Sequence, residues 1–355
     1  MIRPSALVRV AVPLLAAVWC VAGSTPLVAR QDAVPARAAA VADDRGRFTA
    51  FLEEMKTEAV ARGISAAVAA RALDGLEPLP VVVDRDRGQA EAVLSIDTYV
   101  RRRLTPRTIR TARRMFTTHR AMLDKVGRTY GVQPRYLVAV WGLESNFGAF
   151  TGVRPTVQAL ATLAFDGRRG ELFRNELFDA LRIVERGHAD LDRMKGSWAG
   201  AMGQPQFMPS SYLKYAEDFD GDGRRDIWSS QADVFASIAN YLKAYGWDED
   251  ATWGRQVRLP GTVPDTMARA GSRGEGCRAE RALSQRRLLA EWQAMGVRAV
   301  GGGALPKVDR LASLLDAGDR QFLVYSNYEA ILGYNCANAY ALSVAMLGDR
   351  ISARP

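Results

Sequence analysis

The run Tyr136-Leu-Val-Ala-Val-Trp-Gly-Leu143 is apolar from end to end and closes on a carboxylate, Glu144. Apolar on all sides, it reads as a buried helix, so the chain must build a core able to surround it. Upstream, Phe48, Phe51, Leu52, Met55, Val60, Ile64, Val68 and Leu73 recur at roughly helical spacing, and 108–130 continues in that style. Two further helices are expected at 171–186 and 232–245 and a last one at 337–350. Breaks fall at Pro78 and Pro80, at Gly131-Val-Gln-Pro134, and across 148–155 and 196–209.

Beyond Gly246-Trp247 the texture changes. Gln256-Val-Arg-Leu-Pro260 and Gln321-Phe-Leu-Val-Tyr325 read as short strands, with loops at 271–276 and 301–303. The apolar and charged fractions, 48% and 25%, set disorder and coiled coil aside. The expected fold is mainly α (α+β). Its parts are a flexible lead-in at 30–45, a helical region at 46–135, a core at 136–250, a small α/β insertion at 251–330 and a C-terminal helical part at 331–355 that completes the core.

Arg3 and Arg9 precede a largely apolar run, 10–23, followed by small residues and Pro26, the pattern of a cleaved signal peptide over 1–29. No later stretch has ~20 consecutive apolar residues, so the mature chain is expected to be soluble, monomeric and periplasmic. Cys20 raises lipid anchoring, but bulky Trp19 stands where a lipid-acceptor cysteine needs a small neighbour. Cleavage leaves Cys277 and Cys336, an even pair in an oxidising compartment, expected to be bridged, with two buried thiols as the alternative. A surplus of 48 basic over 39 acidic side chains favours an anionic partner: nucleic acid, acidic lipid or cell-wall polymer.

Only two histidines, His119 and His188, are present, neither at zinc-like spacing, and Gly-x-Ser-x-Gly and glycine-rich phosphate loops are absent. Carboxylates remain. Burial without a cation raises a Glu pKa and keeps it protonated near neutrality, fit to donate to a leaving oxygen; the bland alternative for Glu144 is a carboxylate held by loop amides or Ser145. The segment from Lys195 to Tyr212 is dense in Gly, amides and aromatics. Gln204 and Gln206 could bond sugar hydroxyls, and Trp198, Phe207 and Tyr212 could stack on pyranose faces; equally, the aromatics could fill the core of a turn-rich connector.

Trp141-Gly-Leu-Glu-Ser-Asn-Phe-Gly148, Gly200-Ala-Met-Gly-Gln-Pro-Gln-Phe-Met-Pro-Ser-Ser-Tyr212, Ala239-Asn-Tyr-Leu242 and Tyr334-Asn335 together resemble the lytic murein transglycosylase B family over about 48–350. The resemblance implies a lysozyme-like catalytic core and Glu144 as catalytic acid and base. It also implies that Ser197, Gln206, Tyr241, Tyr334, Asn335 and Tyr340 line the cleft, with Met202 near the catalytic Glu and Tyr99 an aromatic contributed from upstream. After Phe165 the family often has a second aromatic, where this chain reads Asp166-Gly-Arg-Arg169. Arg168 and Arg169, with Arg101, Arg102, Arg103, Arg113 and Arg114, could form a basic rim that captures carboxylates of peptidoglycan, or simply solvated faces.

Ordinary glycosidases use two carboxylates, and no second motif-embedded one is visible. With Glu144 alone, the substrate's own acetamido oxygen and dipoles such as Ser197 and Asn335 must meet the developing positive charge, and the C6 hydroxyl of N-acetylmuramic acid replaces water as nucleophile. A lysozyme-like hydrolase and a non-catalytic wall binder are the rivals; nucleic-acid binding is opposed by the leader and by the absence of a known motif. Asp218-Phe-Asp-Gly-Asp-Gly-Arg-Arg-Asp226 sets acids at positions 1, 3, 5 and 9 and Gly at 6 of a calcium-loop pattern, but Ser229 stands at position 12, so Asp233 would have to close a longer loop. Asp218, Asp220, Asp222, Arg224 and Asp233 are the candidate metal residues of a structural Ca²⁺ site; an Asx-bonded turn is the alternative. No cofactor is expected for the chemistry.

Overall fold

The computed structural model describes residues 33–88, 94–260 and 276–352. The expected leader, including Cys20, lies outside them, as does most of the 271–276 loop. The helical part comprises α1 (Ala33–Ala61), α2 (Ala66–Leu73), α3 (Pro80–Gly88), α4 (Ile96–Arg103), α5 (Pro106–Thr118), α6 (Arg120–Tyr130), α7 (Pro134–Ser145), α8 (Thr156–Asp166), α9 (Gly170–Glu185), α10 (Pro209–Tyr215) and α11 (Gln231–Ala244). Strands β1 (Arg154–Pro155) and β2 (Lys195–Gly196) pair antiparallel between them.

Within the expected lead-in, α1 begins at Ala33, where an alanine-rich stretch has high helix propensity. The helical pattern over 108–130 forms two helices that meet at His119.

Two cores form. One surrounds α7 with α5, α6, α11 and the two C-terminal helices, α14 (Ser326–Tyr334) and α15 (Asn338–Ser352); the last residues of α7 through Leu143 are buried in it. The other packs α1 and α2 against α8, α9 and the 202–216 segment. Tyr334 touches both cores, and so marks their junction.

The 251–330 region supplies β3 (Gly254–Arg258), α12 (Arg278–Arg281), β4 (Arg287–Leu288), α13 (Leu289–Ala294), β5 (Arg298–Ala299), β6 (Leu311–Asp316) and β7 (Gln321–Val324). Its sheet runs β4-β6-β7-β3-β5, antiparallel throughout, with Leu314 opposite Leu323 and Gln256 opposite Phe322. Trp292 of α13 fills the core beneath it and donates to Ala312 O at 3.0 Å. Arg320 ties the sheet back to buried Asp97 of α4 at 2.7 Å. A disulfide joins Cys277, the N-cap of α12, to Cys336 between α14 and α15, with Cα atoms 6.1 Å apart.

Candidate active site

The end of α7 is built by interlocking contacts. Asn146 and Phe147 both take positive φ, 52° and 59°, so the chain turns sharply away after Ser145. The Phe147 ring folds back onto Gly142, where an added Cβ would lie 2.4 Å from it. Ser145 is buried; its Oγ donates to Trp141 O at 3.2 Å and accepts from Gly148 N at 3.0 Å. Asn146 therefore caps the helix, Ser145 ties its last turn to the loop beyond, and Glu144 is left in that turn beside Tyr334, where the two cores meet.

The facing wall is a tight hairpin. Met202 and Phe207 exchange backbone hydrogen bonds of 2.7 and 3.0 Å, so Gly203, Gln204, Pro205 and Gln206 form the tip. Gln204 Oε1 accepts from Trp141 Nε1 at 2.7 Å and from Gln231 at 3.0 Å, while its Nε2 donates to Trp228 O at 2.8 Å. That amide is fully committed to holding the hairpin against α7, which corrects its reading as a sugar ligand. Gln206 Nε2 donates to Thr151 O at 3.0 Å and to Gly203 O at 2.8 Å, fixing the loop that leaves α7. Phe207 and Tyr212 are core residues, the Tyr212 hydroxyl bonding Arg225 O at 2.8 Å, and Met202 is enclosed beneath the hairpin; none offers a face to a sugar. Trp198 and Ser197 are half-buried, and Ser197 Oγ accepts from Ala201 N at 3.1 Å.

Burial pushes the Glu144 pKa up to about 7, against the opposing pull of the Tyr340 hydroxyl and the Arg103 guanidinium. Arg103 donates to Leu143 O, bringing α4 to the same helix end. Tyr340 is buried beside Glu144, yet its hydroxyl has no well-formed hydrogen bond among the described residues. Tyr334, also acted on by Glu144, donates its hydroxyl to Pro205 O at 2.7 Å. Tyr241 donates to Gly333 O at 2.8 Å, and Tyr99 lies close enough to act on Tyr340. Asn335 is exposed next to bridged Cys336. Tyr340 and Tyr334 thus flank Glu144, with Tyr99 behind Tyr340 and Tyr241 behind Tyr334, and the groups acting on the Glu144 carboxyl are a hydroxyl and a guanidinium.

Arg168 and Arg169 are elsewhere engaged. Both guanidinium groups pair with Asp86, 1% exposed on α3, the Arg168 contact at 2.5 Å, and they hold its carboxyl below the usual range. The pair staples α3 to the turn before α9, which sequence could not show, because the partner lies across an 82-residue separation. Arg103 was visible only as one of three arginines; nothing in the sequence says which faces Glu144. His119 packs edge-on to Trp141 and Phe235, and burial lowers its pKa.

Ligand atoms of Asp218, Asp220 and Asp222 lie within 4.8 Å of one another, a spacing that fits one hard cation. Asp218 also accepts from Gly221 N at 2.8 Å and Gly223 N at 2.9 Å, so Asx bonds shape the loop. Asp233 does not open into it: its two oxygens accept from Phe219 N and Asp226 N, each at 2.8 Å, so it braces the loop from the buried side. Arg224 N donates to Asp222 at 2.8 Å.

A helix-enclosed acid facing a glutamine hairpin across a tyrosine-lined junction is the arrangement of a lysozyme-like protein, and the comparisons agree. Residues 47–349 match the family described as Transglycosylase SLT domain, and the chain belongs to it. It is 32% identical over 257 residues to the membrane-bound lytic murein transglycosylase B of Escherichia coli strain K12, covering 72% of this chain and 66% of that relative's length. Among solved structures it resembles SltB3 of Pseudomonas aeruginosa in complex with NAG-anhNAM-pentapeptide, with TM-score 0.77, 42% identity, and 85% of this chain and 78% of that one covered. It also resembles the Escherichia coli lytic transglycosylase Slt35 in complex with calcium, with TM-score 0.70, 28% identity, and coverage of 85% and 92%.

Proposed function

We propose that this chain is a peptidoglycan lytic transglycosylase in which Glu144 acts first as acid and then as base. The observation that carries the reading is the place of Glu144, desolvated at the end of α7 beside Tyr334 and Tyr340 where the two cores meet, which pushes its pKa up to about 7. A carboxylic acid with a pKa near the working pH can protonate the oxygen between N-acetylmuramic acid and N-acetylglucosamine and then take back a proton. Without a paired carboxylate to position water or form a covalent intermediate, the muramoyl C6 hydroxyl is the nucleophile and the product is a 1,6-anhydro sugar. Tyr340, whose buried hydroxyl faces Glu144, would supply a dipole toward the developing charge, with Ser197 and Asn335 as further candidates. Membership of the family, and a relative complexed with an anhydro muropeptide, support the same chemistry.

The leader pattern supports action in the periplasm, on glycan strands of the wall. Asp218, Asp220 and Asp222 would hold a structural Ca²⁺, as the spacing of their oxygens and the calcium-bound relative suggest. Glu144→Gln keeps shape but can neither donate nor accept the proton. Turnover of purified sacculi should fall at least ~10²-fold while sedimentation with sacculi is retained. Undiminished turnover would remove Glu144 from the mechanism.

A further inference from the structure

From Glu144 a file of tyrosines runs outward, and its far end has no part in the chemistry above. The Tyr334 ring, flanking Glu144, lies 4.6 Å from that of Tyr241. Tyr241 in turn lies 4.8 Å from Tyr245, their planes 4° apart, and 4.5 Å from Tyr215. Tyr241 and Tyr245 are four residues apart at the C-terminal end of α11, the spacing that places side chains on one helical face. Tyr241 is enclosed, 6% exposed, whereas Tyr245 is 45% exposed. One face of Tyr245 is taken by Tyr241, and its edge rests on Gly333, where an added Cβ would come within 2.2 Å of it. Its hydroxyl meets those of Tyr215 and Tyr241, so its exposure belongs mainly to the opposite face.

A single exposed tyrosine needs no explanation. This one is different in being held parallel to a buried partner, seated on a glycine, and continuous ring by ring with the cleft. We infer that Tyr245, with Tyr215 beside it, is a distal sugar-stacking subsite for the same glycan strand that Glu144 cleaves. The inference rests on the glycan-cleaving reading. A pyranose face presents weakly positive C–H groups, which the negative face of an aromatic ring attracts, while the sugar hydroxyls around the rim stay in water. The stacking face carries no charge, so it selects sugar rings over the carboxylates of peptide stems. Tyr245 lies beyond the rings that flank Glu144, so a glycan held at the cleft gains this contact only by extending past them. The consequence is affinity that grows with glycan length.

The test uses full chains carrying Glu144→Gln, so that substrate is not consumed, titrated by calorimetry with long peptide-free glycan strands and with a single muropeptide disaccharide. Tyr245→Ala and Tyr245→Leu added to that background should weaken long-strand binding roughly 3–10-fold, the scale of one aromatic stacking contact, and collapse the long-to-short affinity ratio. Tyr245→Phe, which keeps the ring, should stay within about twofold of the parent. If the Ala variant melts early, the Leu variant, which keeps bulk over Gly333 without a flat face, decides. Long-strand affinity unchanged in the Leu variant overturns the subsite while leaving the cleft intact. Failure of the parent itself to bind any glycan overturns the reading of the cleft and the subsite with it.

Discussion

A carboxylate enclosed at the end of an apolar helix destabilises the fold whenever it ionises, and this gives Glu144 a pH signature. Its folded pKa, about 7, is raised above the ordinary 4.5. The stability it permits is therefore complete below pH 4.5 and is lost as pH rises through 7, because the unfolded chain ionises freely and the folded one resists. Glu144→Gln removes that ionisation. The variant should melt higher than the parent at pH 8, by an amount of order 1–3 kcal/mol, with the gap closing toward pH 4. A gap independent of pH would mean that Glu144 is not desolvated as described. On the proposed role of Glu144 as acid, wild-type turnover should decline above about pH 7 for the same reason. At this scale the sequence was informative about identity and silent about partners. Glu144 stood out as a carboxylate closing an apolar run, whereas Arg103 and the committed amide of Gln204 depend on contacts 40 and 63 residues away.

Among the elements, the loop over 218–226 uses the same oxygens to shape its turn and, on the proposed reading, to hold a cation. Asp218 accepts three backbone amides, from Gly221, Asp222 and Gly223, and still shares a ligand-sized space with Asp220 and Asp222. Backbone amides shape such a loop without neutralising its charge, so a cation that binds only the folded loop stabilises it by mass action. Millimolar Ca²⁺ should raise the melting temperature, and Asp222→Ala should abolish the rise; calorimetry showing no Ca²⁺ uptake at that concentration would leave the loop a purely Asx-bonded turn. The acid spacing was legible in the sequence, but the closing role assigned to Asp233 was not. It stands at the start of α11 with both oxygens turned inward, and a spacing argument cannot see which way a side chain faces. The same limit explains why Arg168 and Arg169 read as a basic rim: their partner Asp86 comes from a helix whose contacts with α8 exist only after folding.

For the whole molecule, two cores meet where Tyr334 touches both, and the cleft is their seam rather than a hollow in either one. The mainly α architecture was readable because the longest helices carry their own periodicity or apolar run. The sheet was only half readable. β7 carries the apolar run Phe322-Leu-Val324 and β3 sets Val257 among polar residues, but β4 and β5 have two residues each and exist only through their pairing with β6 and β3. The Cys277 to Cys336 bridge fastens that sheet region to the segment bearing Asn335, so the β-containing part helps to hold one side of the seam. No single helix among the described residues is long and apolar enough to cross a membrane.

If one carboxylate suffices, the substrate must supply its own nucleophile. Mass spectrometry of muropeptides released from purified sacculi tests it directly. The account predicts products ending in 1,6-anhydro-N-acetylmuramic acid, one water lighter than the corresponding hydrolysis products and resistant to borohydride, because the C6 hydroxyl closes on C1. Products with free reducing ends would contradict it, and would require a second carboxylate positioning water opposite Glu144.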